Sequence, residues 1–261
     1  MNLYDGNGTL IPIGGGGDTK RPWLNFSHKG KALDIYGNSV YAFNRSHEAG
    51  MDGSEIDLRM TSDNVIVLSH DSDVTGTVGG VQTTLTIATS TYAQLAALTL
   101  FTIDNVDYHI VRLDDLAMMA FYWGWTLQLD FKSQSNTQAC MLKASEVIRD
   151  NELCGKAFYF SVPESLVPSI VANDPLAIFD VGSSDITGTV WGDMPVDRVW
   201  RSVNRANLGS FTRDGHPFYV WDAGSAQAET IMNFKPDAIQ WQADTDGASL
   251  SDTFLANVDW E

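Results

Sequence analysis

From residue 23 onward, short apolar runs alternate with longer stretches in which apolar residues recur every three or four positions. The runs read as strands at 23–28, 52–58, 126–132, 157–161, 176–181, 197–202, 217–222 and 237–242. Between them, helical spacing covers 38–49, 113–123, 136–151, 163–172, 204–210, 225–233 and 249–257. One more apolar run at 64–70 reads as a hairpin extension of the second strand. Eight strands alternating with helices predict an α/β fold, a (β/α)8 TIM barrel; a doubly wound open sheet would alternate in the same way.

Two stretches depart from the alternation. Residues 72–112 are rich in Thr, Gly and Asp and carry only a short helical pattern at 91–98, with Tyr92, Leu95 and Leu98 on one face. Insertions of this length in compact domains usually serve as lids or binding loops, so this one is expected to cap the barrel mouth. Its hydroxyls and its aromatics Tyr92, Phe101 and Tyr108 suit a glycerol- or sugar-bearing substrate better than a lipid tail. Residues 1–20, with four glycines from Gly14 to Gly17, read as a flexible lead-in. The expected division is a lead-in at 1–22 and a single domain at 23–261.

The chemistry concentrates between Ser27 and Asp71. His28 and His70 each end a strand-like run, and Glu55 and Asp57 stand two apart on another. Side chains at i and i+2 of a strand share a face, so these carboxylates can share one cation. Imidazoles titrate near neutrality and serve as acid or base. Two such groups beside a hard-metal site are equipment for cleaving a phosphate ester. Lys29 and Lys132 are the nearby positive charges and are placed to clamp a phosphate. His47, His109 and His216 have no comparable context.

Composition narrows the partners. The formal net charge of −17 repels nucleic acid and anionic membrane surfaces. An anionic phosphodiester then needs a bound cation and the lysines to reverse the field locally. No apolar run is long enough to span a bilayer and no signal-peptide pattern opens the chain, which leaves the location open: cytoplasmic, or virion-associated if the chain is phage-encoded. Cys140 and Cys154 form neither a disulfide framework nor a metal spacing.

The composite motif resembles the glycerophosphodiester phosphodiesterase family of the phospholipase C-like phosphodiesterase superfamily. That family reads H-R-G, E-N-T-x-x-A-F, G-x-D-x-x-E-x-D-x-x-x-T-x-D and H-D. This chain has His28-Lys29-Gly30, Gly37-Asn38-Ser39 with Ala42-Phe43, Gly50 to Asp57, Thr61, Asp63 and His70-Asp71. Leu129-Asp130-Phe131-Lys132 is similar to the family's E-x-K strand, with Asp in place of Glu. The resemblance implies one divalent cation, Mg²⁺ or Ca²⁺, on Glu55, Asp57 and Asp130, because an all-oxygen set suits a hard ion. It further implies that one of His28 and His70 deprotonates the nucleophile and the other protonates the leaving alkoxide. Trp221 matches a family aromatic that would wall the substrate pocket.

The chain departs from the pattern at Gly37, where the family carries a glutamate, and at Lys29, where it carries an arginine. The seventh and eighth strands end in Trp221-Asp222 and Gln240-Trp241-Gln242, the latter where the family has Thr-Asp. Two other readings stand beside the hydrolase: a sphingomyelinase-D-like enzyme, which the Leu-Asp-Phe-Lys strand equally resembles, and a catalytically dead barrel used for binding. The opening Leu3-Tyr4-Asp5-Gly6-Asn7-Gly8 resembles junctions in bacteriophage tail proteins. That implies attachment to a phage or cell-surface assembly and a poly(glycerol phosphate) substrate such as teichoic acid.

Overall fold

The computed structural model of the protein describes residues 24–30, 37–182, 190–212, 214–223 and 234–241. The expected lead-in and the helices expected at 225–233 and 249–257 lie outside the described residues. The eight barrel strands are β1 (Leu24–His28), β2 (Gly53–Met60), β8 (Thr126–Phe131), β9 (Ala157–Phe160), β10 (Ile178–Asp180), β11 (Val199–Asn204), β12 (Phe218–Ala223) and β13 (Ala238–Trp241). They pair parallel in sequence order, and β1 closes the ring by pairing with both β2 and β13. The chain is a closed α/β barrel. Each of these strands begins within two residues of the position that apolar patterning assigns to it.

Alternation within each strand separates two cores. The outward residues Ile56, Leu58, Leu127, Leu129, Tyr159 and Phe179 pack beneath the helices. These are α1 (Val40–Glu48), α3 (Leu113–Trp123), α4 (Thr137–Asp150) and α5 (Val167–Asn173). The inward residues Phe26, Phe158, Phe160, Trp200 and Tyr219 fill the barrel. Phe158 stands edge-on to both Phe26 and Trp200, at 5.7 and 4.8 Å. With the barrel floor filled by rings, chemistry is left to the C-terminal rim.

Glycine decides one close approach. A Cβ on Gly53 would sit 1.8 Å from the Thr126 carbonyl oxygen, so any other residue there would push β2 away from β8. Those two strands carry most of the acidic residues described below.

Residues 73–108 are better ordered than their composition suggests. Two antiparallel hairpins, β4 (Asp73–Val78) with β5 (Val81–Thr86) and β6 (Phe101–Ile103) with β7 (Val106–Tyr108), flank the short helix α2 (Tyr92–Ala96). The turns are Gly79-Gly80 and Asp104-Asn105, all four residues with positive φ. That is the two-residue hairpin chemistry whose twist matches the strands. Val67, Val74, Ile87, Leu95, Leu98 and Ile110 form a small core joining the insertion to β3 (Ile66–Leu68), which pairs antiparallel with β2. Residues 163–172 divide into a 3-10 turn at Glu164–Leu166 and α5, while 205–210 is a 3-10 helix rather than an α-helix.

Candidate active site

His28, Glu55, Asp57, Asp130 and Lys132 converge at the C-terminal rim of neighbouring strands. Register places His28 beside Glu55 and Asp57 beside Asp130. The inward pleat that puts Glu55 and Asp57 on one face also turns Asp130 and Lys132 toward them. One carboxylate oxygen from each of Glu55, Asp57 and Asp130 lies within 4.8 Å of the other two. Glu55 and Asp57 are buried and Asp130 is partly open.

The charge distribution there is unbalanced. Burial, followed by the charges of Asp57 and Asp130, pushes the Glu55 carboxyl well above the ordinary range. Burial would also raise Asp57, but hydrogen bonding and charge from Lys132, the charge of Lys29 and the Asn38 amide outweigh it and hold Asp57 low. Lys132 Nζ lies 2.5 Å from Asp130 Oδ2 and 2.7 Å from Asp57 Oδ1. The ammonium thus bridges Asp57 and Asp130. Three clustered carboxylates, two of them buried and one of which resists ionisation, fit an oxygen-liganded cation.

The loop after β1 explains much of the motif. Lys29 and Asn38 both adopt positive φ, at 55° and 58°, conformations that the surrounding structure must hold in place. Gly30, also left-handed, lies so close to α1 that a Cβ would stand 2.6 Å from the Ala42 Cβ. The Gly30 amide donates to Ser54 Oγ at 2.9 Å and the Lys29 amide to Glu55 Oε2 at 3.2 Å. Ser39 caps α1 by accepting from the Ala42 amide. Asn38 Nδ2 donates to Asp57 Oδ2 at 2.7 Å, while its Oδ1 accepts from the Asp57 amide at 3.1 Å. The asparagine thus fixes the central carboxylate from two sides.

His28 Nε2 lies 3.7 Å from Glu55 Oε2, and Lys29 Nζ 3.8 Å from Asp57 Oδ2. His70 is more open, with Nδ1 2.9 Å from Asp71 Oδ1. A carboxylate only accepts, so Nδ1 carries the proton and Nε2 is available. The His70 carbonyl receives both Nε and Nη2 of Arg59, at 3.1 and 2.7 Å, and Arg59 Nη1 reaches the Ser133 carbonyl at 3.2 Å. Arg59 therefore ties the His70 turn to the loop beyond Lys132. Trp221, 40% exposed at the end of β12, makes no hydrogen bond, ion pair or ring contact with the acids among the described residues.

A cavity of about 450 Å³ adjoins this cluster, its wall including Lys29, Gly37, Asn38 and His70 on one side and Asp73, Thr75 and Phe101 of the insertion on the other. The three acids are not in its wall; Lys29 and Asn38 face both the cavity and Asp57. The insertion thus borders the site, and Gly37, the departure from the family pattern, lines this space.

Residues 28–153, just under half of the chain, match the model of the Glycerophosphoryl diester phosphodiesterase family. That segment is similar to the family. A glycerophosphodiester phosphodiesterase of Caldanaerobacter subterraneus subsp. tengcongensis is 37% identical over 57 residues, 22% of this chain and 24% of that relative. The chain therefore matches about a quarter of the length of this curated relative. The glycerophosphodiester phosphodiesterase of Agrobacterium tumefaciens shares the fold with a TM-score of 0.64 and 18% identity, over 87% of this chain and 99% of that one. An Oleispira antarctica phosphodiesterase, solved with the product sn-glycerol-3-phosphate, gives 0.65 and 15%, over 86% and 94%. Among the described residues no helix is long and apolar enough to cross a membrane.

Sequence reasoning assigned no role to Asn38 or Arg59. Asn38 was signalled by its place between Gly37 and Ser39 in the motif, since asparagine tolerates the left-handed conformation and offers both donor and acceptor. Arg59 carried no signal beyond its position two residues past Asp57, on the same inward face.

Proposed function

We propose that the protein hydrolyses glycerophosphodiesters with the help of one divalent cation. The observation that carries this reading is the convergence of Glu55, Asp57 and Asp130, with oxygens within 4.8 Å, beside His28 at the barrel rim. Glu55, Asp57 and Asp130 would hold the cation, and their hard oxygens favour Mg²⁺ or Ca²⁺. When bound, it supplies Lewis-acid neutralisation of phosphate charge.

The chain's own groups complete the chemistry. Lys29 and Lys132 attract the phosphate into an otherwise acidic surface. Glu55 lies 3.7 Å from His28, and Asp71 orients His70. One imidazole removes the proton of the attacking hydroxyl or water, and the other protonates the departing alkoxide. Arg59 keeps the His70 turn at the rim. Lysine at position 29 gives a point charge without a bidentate fork, so the phosphate is held with less orientational constraint than an arginine would impose.

The test is a metal-dependent assay on glycerophosphocholine, glycerophosphoethanolamine and a poly(glycerol phosphate), with choline release from sphingomyelin alongside. Release of glycerol phosphate from a glycerophosphodiester supports the proposal. Activity confined to sphingomyelin would move the chain to the alternative reading, and silence on all four would leave it a binding module.

A further inference from the structure

The cavity beside the acids has a chemical character of its own. Its insertion wall presents Asp73 and Thr75 from β4, Asp71 from the turn and Phe101 from β6. Each acid spends one oxygen internally: Asp71 Oδ1 on His70 and Asp73 Oδ1 on the Thr86 hydroxyl at 2.6 Å. Beside them Thr75 and Thr84 join hydroxyls at 2.8 Å across the hairpin, continuing a polar ladder of Asp73 with Thr86 and Thr75 with Thr84. Phe101 is stacked against Tyr108 at 5.0 Å, and Tyr108 is braced edge-on at 5.8 Å by Tyr41 of α1. Phe101 is therefore held against the barrel.

The geometry points to this cavity as the subsite for the alcohol of the diester, built for a neutral polyhydroxylated ring such as a sugar or cyclitol. The inference rests on the reading of the chain as a glycerophosphodiesterase and names what that reading leaves open. Carboxylate and threonine oxygens accept hydrogen bonds from substrate hydroxyls. A rigid aromatic platform beside them covers the apolar C–H face of a ring. The location fits an alcohol rather than the phosphate, because Lys29 and Asn38, the lining residues that also reach Asp57, mark the side toward the acids.

Two competing alcohols fit less well. A further anionic unit, as in poly(glycerol phosphate), would lie against Asp71 and Asp73, with Lys29 the one lysine or arginine of the wall among the described residues. A quaternary ammonium such as choline is best held by a cage of several rings, and among the described residues Phe101 is the one carbocyclic ring that lines the cavity.

Binding of glycerophospho-myo-inositol and of glycerophosphocholine to the full chain, stripped of metal with EDTA so that nothing turns over, is read by saturation-transfer NMR. The inositol diester is expected to bind at least about fivefold more tightly, and Asp73→Asn and Phe101→Leu are each expected to bring the ratio close to one. Should Phe101→Leu fail to fold, Thr75→Val at an exposed position asks the same question. Equal or tighter binding of the choline diester, a preference that survives the substitutions, or binding of neither would overturn the assignment. Hydrolysis of bis(4-nitrophenyl) phosphate with added Mg²⁺ or Ca²⁺ is measured separately. Its absence beside an intact inositol preference would sink the hydrolase reading alone, and its presence without a preference would sink the alcohol subsite alone.

Discussion

Removing the Asn38 side chain is the sharpest structural perturbation available at the rim. Asn38 makes two buried hydrogen bonds to one residue, 2.7 Å to the Asp57 carboxylate and 3.1 Å to the Asp57 amide. A hydrogen bond to a charged group contributes about 1.5–3 kcal/mol, and a buried amide left without a partner costs about 1–3 kcal/mol. Asn38→Gly keeps the positive φ available and isolates those losses, giving about 3–5 kcal/mol. Asn38→Ala adds the left-handed penalty of roughly 1–2 kcal/mol. For a chain of this size, 1 kcal/mol moves the midpoint by about 2–4 °C, so Asn38→Gly should lower Tm by on the order of 10 °C. Differential scanning calorimetry on metal-stripped protein reads this directly, with Asn38→Ala lower still. A shift below about 2 °C for Asn38→Gly would refute the claim that Asn38 holds Asp57 in place.

Four further outcomes follow from the same geometry. Lys132→Met should strengthen Ca²⁺ binding by at least about tenfold in calorimetry, since the ammonium sits between Asp57 and Asp130 where it competes with a cation; unchanged affinity would contradict this. His28→Ala and His70→Ala should each lower turnover by roughly 10² or more, with a bell-shaped pH profile in the wild type, and near-full activity in either variant would count against the acid–base pair. Gly53→Ala should lose more than about 3 kcal/mol in urea unfolding, because the added carbon meets the Thr126 carbonyl rather than a movable side chain. Burial raises the Asp174 carboxyl against the pull of the Gly155 and Leu176 amides and the Tyr159 hydroxyl. A raised folded value gives stability that is full below the unfolded value, about 3.9, and is lost as pH rises through the folded one. The unfolding free energy of wild type relative to Asp174→Asn should therefore fall as pH rises from about 4 toward neutrality, and a flat difference would show that Asp174 does not titrate in this way.

The barrel was legible because its strands are buried on both faces and bounded by turns, so each appeared as a compact apolar run such as Ala157–Phe160. The acids were legible for a related reason: carboxylates at the ends of such runs stand out, and a period of two fixes which of them share a face. The two hairpins of the insertion were not read from the sequence. Its Val-Gly-Gly-Val and Ile-Asp-Asn-Val turns are hairpin signals, but threonine supplies most of the β-branched positions and masks the alternation. Trp221 was drawn from a family match alone, and it stands 40% exposed on β12. The roles of Asn38 and Arg59 depend on where two loops come together in space, which spacing along the chain does not encode. The interior pairing of Tyr219 with Asp180, hydroxyl to carboxylate at 3.0 Å, was likewise invisible because the two lie on strands that are not adjacent in the ring.

Cation-dependent turnover tests the central claim most directly. Hydrolysis of a glycerophosphodiester is followed after EDTA treatment, after return of Mg²⁺ or Ca²⁺, and in Asp57→Ala under the same conditions. Turnover should vanish on chelation, return with the ion, and stay absent in Asp57→Ala, whose calorimetric cation binding should also be lost. Full turnover in EDTA, or equal cation binding by wild type and Asp57→Ala, would contradict the account.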